Sequence, residues 1–270
     1  MLHKLCYLAL VIVVLTLSGR SEWVSLKSGA SQAVAPRTTL LQDDRSGTIL
    51  KIEVSGFEVS EVVTGGQTYK SVDLLTDAFT TEAGFPELPC VTKILAVPDR
   101  GAVSVEVVET GEEVAFAGYV IPPARRSWKE GDPEPPYVER EDAYQSSSAY
   151  PQQVAVVDPP GVLRDFRITR VAVYPVRYIA ARNEIRVASS VTVRIKYGPG
   201  DGINPKTAPR KPIAPSFDAL YRSTIFNYQS VLERDYSGME MGRDVLLCIS
   251  PDAFVNSLIP FANWRHKTGT

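Results

Sequence analysis

Ile185-Arg186-Val187-Ala188-Ser189-Ser190-Val191-Thr192-Val193-Arg194-Ile195-Lys196-Tyr197 is the stretch from which the fold is read. Ile185, Val187, Val191, Val193 and Ile195 fall on odd positions, and Arg186, Arg194 and Lys196 on even ones. Side chains of a strand alternate between its faces, so a period of two describes a strand with one face buried and one in water. Ser189 interrupts the apolar face with Ser190 beside it, which predicts either a bulge or two shorter strands. Just upstream, Ala181-Arg182-Asn183-Glu184 supplies turn chemistry and predicts a hairpin from Tyr178 to Arg186.

The same β-branched alternation, bounded by Gly, Pro, Asp and Asn, recurs at Ile49 to Val54, Lys93 to Val97, Val103 to Val108 and Phe166 to Val173. No helical spacing precedes residue 216, so the expectation is a mainly β protein whose principal domain is an antiparallel β-sandwich. With 270 residues, 44% of them hydrophobic, the chain has material for one or two packed domains. A formal charge of -2, with no Lys/Arg run beside a stripe of aromatics, argues against a nucleic-acid partner.

His3 and Lys4 precede an apolar run from Leu5 to Leu17 and the small pair Ser18 and Gly19, the pattern of a signal peptide cleaved near Ser18 or Gly19. The run of about 13 residues is shorter than the roughly 20 a membrane-spanning helix needs. The expectation is a secreted or cell-surface protein with no membrane association after signal removal. Cys6 lies inside the signal, and Cys90 and Cys248 are read as separate buried or free thiols rather than a bridge. Cys248 stands in the apolar run Val245 to Ile249, a poor setting for a nucleophile.

Two segments break the strand pattern. Pro122 to Pro151 holds Pro122-Pro123, Pro133, Pro135-Pro136, many charges and Ser146-Ser147-Ser148, and reads as a long exposed loop. Its basic group, Arg125, Arg126 and Lys129 around Trp128, is the candidate functional element, while Glu139, Glu141 and Asp142 read as a solvated face. After Tyr197, Gly198-Pro199-Gly200-Asp201-Gly202 and the Pro-, Lys- and Arg-rich stretch to Pro215 read as a linker. The spaced carboxylates of a calcium loop are missing there. Lys206, Arg210 and Lys211 are processing candidates in that linker, with Arg234 and Arg243 as later ones; Pro212 would hinder cleavage after Lys211.

From Ser216, read as an N-cap, Phe217, Leu220, Tyr221 and Ile225 fall on one helical face. Val245 to Ile249 then reads as a fully apolar strand, and Ser250-Pro251 opens a helix carrying Phe254, Leu258 and Phe261, which Pro260 should kink or restart and Gly269 should stop. Such a strand followed by a crossover helix belongs to a parallel sheet whose next strand comes later. The expected organisation is therefore signal peptide 1–19, sandwich 20–200, linker 201–215, connecting helix region 216–242, and the truncated start of an α/β domain at 243–270.

Leu246-Leu247-Cys248-Ile249-Ser250-Pro251-Asp252-Ala253-Phe254, followed by Leu258-Ile259-Pro260-Phe261-Ala262-Asn263-Trp264-Arg265, resembles the opening of the catalytic domain of gingipain-type cysteine peptidases. Gly84-Phe85-Pro86-Glu87-Leu88-Pro89 resembles the G-x-P-x-L-P turn of that family's N-terminal pro-domain, in the same order along the chain. The resemblance implies a pro-domain that acts as chaperone and inhibitor of a caspase-like peptidase domain in the same chain, its intramolecular partner. It places the family's catalytic Cys and His downstream. The exposed basic loop after Ile121, taken together with a family whose better-known members prefer Arg or Lys at the cleavage site, leads to the expectation that the loop inserts a basic side chain into the specificity pocket, with Arg126 first, then Arg125 and Lys129.

No catalytic residue is assigned within the chain: it holds two His, no G-x-S-x-G, no metal-ligand cluster and no Gly-rich phosphate loop, so neither a metal nor a cofactor is expected. The alternative reading is a secreted cell-surface β-sandwich that serves in binding or adhesion, since fold does not fix function.

Overall fold

The computed structural model describes residues 21–26, 32–242 and 245–268. The expected signal peptide with Ser18 and Gly19, the processing candidate Arg243 and the helix stop at Gly269 lie outside the described residues. Along the chain come β1 (Glu22–Ser25), β2 (Arg37–Asp43), β3 (Gly47–Glu53), β4 (Gly56–Thr64), β5 (Gln67–Asp73), β6 (Val91–Val97), β7 (Val103–Thr110) and β8 (Glu113–Ala117). There follow α1 (Glu141–Tyr144), β9 (Ala155–Val157), β10 (Gly161–Leu163), β11 (Phe166–Val173), β12 (Val176–Ile179), β13 (Glu184–Ala188) and β14 (Ser190–Tyr197). The helices α2 (Pro215–Thr224), α3 (Tyr228–Asp235) and α4 (Asp252–Lys267) close the order.

The stretch that decides the fold becomes two strands in two sheets. β13 is the centre of β12-β13-β8, and β14 lies between β3 and β7 in β2-β3-β14-β7. Ser189 sits at the crossing: its N–H donates to the Glu112 carbonyl (2.8 Å) and its own carbonyl accepts from Val54 (2.9 Å). Ile185, Val187, Val191, Val193 and Ile195 are fully buried, as the alternation requires. On the outer face, Lys196 Nζ reaches Glu106 of β7 at 2.6 Å. The predicted hairpin forms with β12 against β13, turned by Asn183 in the left-handed region (φ 48°).

Every pairing between named strands is antiparallel. Among the described residues the strands form four short sheets, including β1-β4-β5 and β10-β11-β6, around one core built from Leu50, Phe57, Val72, Leu95, Val171, Val176, Ile185 and Val193 among others. Each such side chain contributes about 1.5–3 kcal/mol by leaving water.

A second core lies on the other face of β6 and β11. There the Phe166 ring meets Tyr221 at 4.9 Å, and Tyr228 and Tyr236 at 5.5 Å each. Ile213, Ile225 and Val231 complete it, so α2 and α3 belong to the same packed body as the strands. The connection between them runs along the β6 edge. Phe226 N–H donates to the Ile94 carbonyl (2.8 Å), and the buried Asn227 amide bonds both the N–H (2.8 Å) and the carbonyl (2.9 Å) of Ala96.

Three expectations are corrected here. Residues 201–215 do not hang free as a linker: Gly101 N–H bonds the Asp201 carbonyl (3.0 Å) and Lys206 N–H the Asp99 carbonyl (2.7 Å), while Ile213 and Ala214 are buried. The Pro-rich composition is that of an extended segment laid on a surface. α2 begins at Pro215 with Ala214 as its N-cap, because proline's fixed φ suits the first helical position; Ser216 is inside the helix and Leu220 is exposed.

Residues 245–249 form no strand. Val245 is 87% and Ile249 90% exposed, and a strand without a neighbour has no ladder for its backbone. α4 does form, capped at Pro251 rather than Ser250 and continuous through Pro260, with Phe254, Phe261 and Trp264 exposed.

Candidate functional site

The segment from Pro122 to Pro151 is not a structureless loop. Its two feet are tied to one turn, Gly84-Phe85-Pro86-Glu87. On the first foot, Gly84 N–H donates to the Ala124 carbonyl (2.9 Å), Ala124 N–H to Phe85 (2.7 Å) and Glu87 N–H to Pro122 (2.8 Å). On the second, Arg140 N–H donates to the Gly84 carbonyl (3.0 Å).

Gly84 has φ +85°, and a Cβ there would come within 2.7 Å of the Arg140 side chain, so the turn requires glycine. Thr80 Oγ1 holds the turn from beneath, donating to the Pro86 carbonyl (2.7 Å) and accepting from Leu88 N–H (2.9 Å). Pro122, Pro123, Ala124 and Pro135 are buried. After the second foot the chain makes α1, whose Tyr144 hydroxyl donates to the Ile121 carbonyl (2.7 Å).

The tip is residues 126–134, all exposed. At its base the Arg125 guanidinium lies between the Trp128 and Tyr137 rings, 4.9 Å from each, and pairs with Glu134 at 2.5 Å. Cation–π contacts and the ion pair thus pin the root of the tip. Burial pushes the nearby Glu87 carboxyl up while the Arg125 charge pulls it down. Tyr69 braces the far side, its hydroxyl 2.9 Å from Glu139 and pushed up to about 12, first by burial and then by that carboxylate. Glu139 is exposed, as expected of a solvated face, and the tyrosine that donates to it is 70 residues away and leaves no local signal.

The three basic candidates are therefore unequal. Arg125 is committed to the tip's own structure. Arg126 and Lys129 are exposed, and no hydrogen bond, ion pair or ring contact engages their side chains among the described residues. Arg126 directly follows the pinned residue. Lys129 begins the turn in which its carbonyl accepts from Asp132 N–H (3.1 Å), with Gly131 at φ +90°.

The processing candidates are scattered. The Lys206 side chain is 5% exposed beside Asp99 (3.8 Å). Arg210 pairs with Asp99 (3.4 Å) and Asp235 (3.3 Å), and Arg234, inside α3, with Asp43 (3.3 Å) and Asp235 (3.2 Å). Lys211 is exposed. Lys206 and Arg210, expected as open linker sites, are tied down because the segment lies on the body. Cys90 is buried, which pushes its thiol up to about 11, and Cys248 is exposed. Among the described residues no group of three or more His, Cys, Asp or Glu is placed to hold a metal.

Body and loop define a β-rich domain that presents a firmly footed tip on which Arg126 and Lys129 stand exposed. Its family follows from comparison: residues 30–235 match the Propeptide_C25 family, and the chain belongs to it. That match ends on the last residue of α3. The chain is similar to Lys-gingipain of Porphyromonas gingivalis, 24% identical over 259 residues that cover 94% of this chain and 15% of that protein. Gingipain R2 of the same organism is 23% identical over 266 residues, 96% of this chain and 35% of the relative. The chain thus spans well under half the length of these relatives.

Among solved structures, the complex of P. gingivalis RgpB pro- and mature domains superposes with a TM-score of 0.63 at 22% identity, covering 72% of this chain and 97% of that one. A structure bearing on the zymogenic latency of P. gingivalis gingipain K gives 0.57 at 24%, covering 67% and 100%. Both share this fold.

Proposed function

We propose that residues 30–235 are the inhibitory pro-domain of a secreted cysteine endopeptidase precursor, and that the 126–134 tip enters the specificity pocket of the peptidase domain with Arg126 leading. The observation that carries this reading is the contrast between neighbours: Arg125 is clamped between two rings and a carboxylate, and Arg126 next to it is exposed and without a partner. A side chain delivered by a main chain that is already ordered loses little freedom on binding, which is how a loop becomes a tight inhibitor. The relatives support the assignment, since one is a complex of pro- and mature domains and another concerns zymogenic latency. The cationic start and apolar run at the N-terminus support export.

The exposed apolar residues of 245–268 support a second part of the reading, in which this segment begins the peptidase domain and is covered by it. Release then falls after Tyr236, where Arg243 is the basic residue, because Lys206, Arg210 and Arg234 are engaged on the body. A mature enzyme whose first residue lies upstream of 237 would refute this.

The decisive test is inhibition of the peptidase from the same precursor by the pro-domain. R126A should raise the inhibition constant by roughly 30-fold or more, the scale of losing a buried charged anchor, and K129A should change it little. Full inhibition by both R126A and the triple variant R125A/R126A/K129A would dispose of the tip as inhibitor.

A further inference from the structure

The basic residues between Lys206 and Arg234 are engaged or hindered at every described position. Lys206 is held by its backbone N–H on the Asp99 carbonyl (2.7 Å) and by its ammonium, which donates to the Ala208 carbonyl (3.1 Å) and lies 3.8 Å from the Asp99 carboxylate. Arg210 places its guanidinium 3.4 Å from the same carboxylate, 3.3 Å from Asp235 and over the Tyr236 ring. Lys211 precedes Pro212. Arg222 and Arg234 stand within α2 and α3, paired with Asp218 and with Asp43 and Asp235. Asp99 is the point where the two bonds nearest an extended backbone converge.

Next to it, the buried Arg167 guanidinium ties the two chain segments together. It donates to the carbonyls of Pro98 (2.9 Å), Gly101 (2.9 Å) and Ile203 (2.7 and 3.1 Å). Gly202 lies so close to Gly101 that a Cβ on it would come within 2.0 Å of the Gly101 carbonyl.

We propose that Asp99 is the keystone of a proteolytic shield, which keeps the Lys206–Thr207 and Arg210–Lys211 bonds from endopeptidases that cut after Lys or Arg. Such an enzyme takes its substrate as an extended segment with the basic side chain in a pocket. Here that presentation requires local opening, which removes Lys206 from burial and breaks its backbone hydrogen bond at the same time. The purpose rests on the pro-domain reading, since a domain paired with a protease of basic specificity has to survive it. The shield itself is a property of this chain and is measured with an unrelated protease, so the two ideas fail separately.

The experiment is limited digestion of the full chain with trypsin, with fragments identified by mass and N-terminal sequencing. Cuts after Arg126 and Lys129 should appear well before any after Lys206 or Arg210. D99A should speed cleavage at Lys206–Thr207 about 10-fold or more while leaving the rates at Arg126 and Lys129 unchanged. If D99A accelerates cutting everywhere, it has lost its fold, and D99N decides instead: it keeps the size of the side chain and the Asp99 carbonyl, removes the charge that faces Lys206 and Arg210, and should open the same bond selectively. Cleavage after Lys206 in the unaltered chain as fast as after Lys129, or no change at Lys206–Thr207 in D99N and in a folded D99A, would overturn the shield.

Discussion

Arg125 and Arg126 are adjacent and chemically identical, and their surroundings are opposite. The rings of Trp128 and Tyr137 and the Glu134 carboxylate take the first, leaving the second free. The sequence shows the basic cluster and its loop but not this division, because it depends on which side chains meet after folding. R125A keeps Arg126 and loses the clamp, so it should weaken inhibition by about 10-fold through lost preorganisation. It should also raise trypsin cleavage after Arg126, and the two rates can be read from one series of digests.

Asp44 gives a second residue-level expectation. Its carboxylate accepts from the hydroxyl (2.6 Å) and N–H (2.7 Å) of Ser46 and from Gln42 (2.6 Å) in the turn between β2 and β3. These bonds, the Ser46 hydroxyl first, lower it from 3.8 to about 2. The folded state thus favours the ionised form, so the stabilisation is complete above pH about 4 and is lost as pH falls through about 2. The deficit of D44A against the unaltered chain in urea unfolding should be constant at neutral pH and shrink between those limits.

At the scale of elements, regular alternation was legible and edges were not. The odd-position pattern gives the correct faces of β13 and β14, and Ser189 marks their division. β6 and β11 are apolar on both faces because a second core covers them, and the helices that do so lie beyond a stretch whose composition reads as a linker. Proline-rich chain looks alike whether it is free or laid along a sheet. Asn227 is the clearest case of a polar residue with a tertiary task, since its amide imitates a neighbouring strand against Ala96 and donates to Asp43 (3.2 Å). N227A leaves buried backbone groups unpaired and should cost roughly 2–4 kcal/mol. Amide exchange should quicken first at Ala96 and Phe226.

For the whole molecule, the sequence indicated a mainly antiparallel body, but four short sheets around one core could not be foreseen, because the pairing of β14 with β3 joins residues far apart in the chain. Composition also placed the domain division too early. The body runs to α3, and the described residues from 245 onward are mostly exposed. Removing residues 245–270 should therefore shift the melting temperature by no more than about 2 °C, and light scattering should show less self-association once Phe254, Phe261 and Trp264 are gone.

The closure of β6 also has a history. Its outer edge is covered by Ile225, Phe226 and Asn227, more than 120 residues later in the chain. A polypeptide that emerges from its N-terminus, whether from the ribosome or through an export channel, has an uncapped strand edge for the whole of that interval. Unpaired edges recruit other chains. A chain interrupted before residue 225 should therefore be lost to aggregation rather than to simple unfolding, and the short connection between α2 and α3 serves as the domain's solubility device.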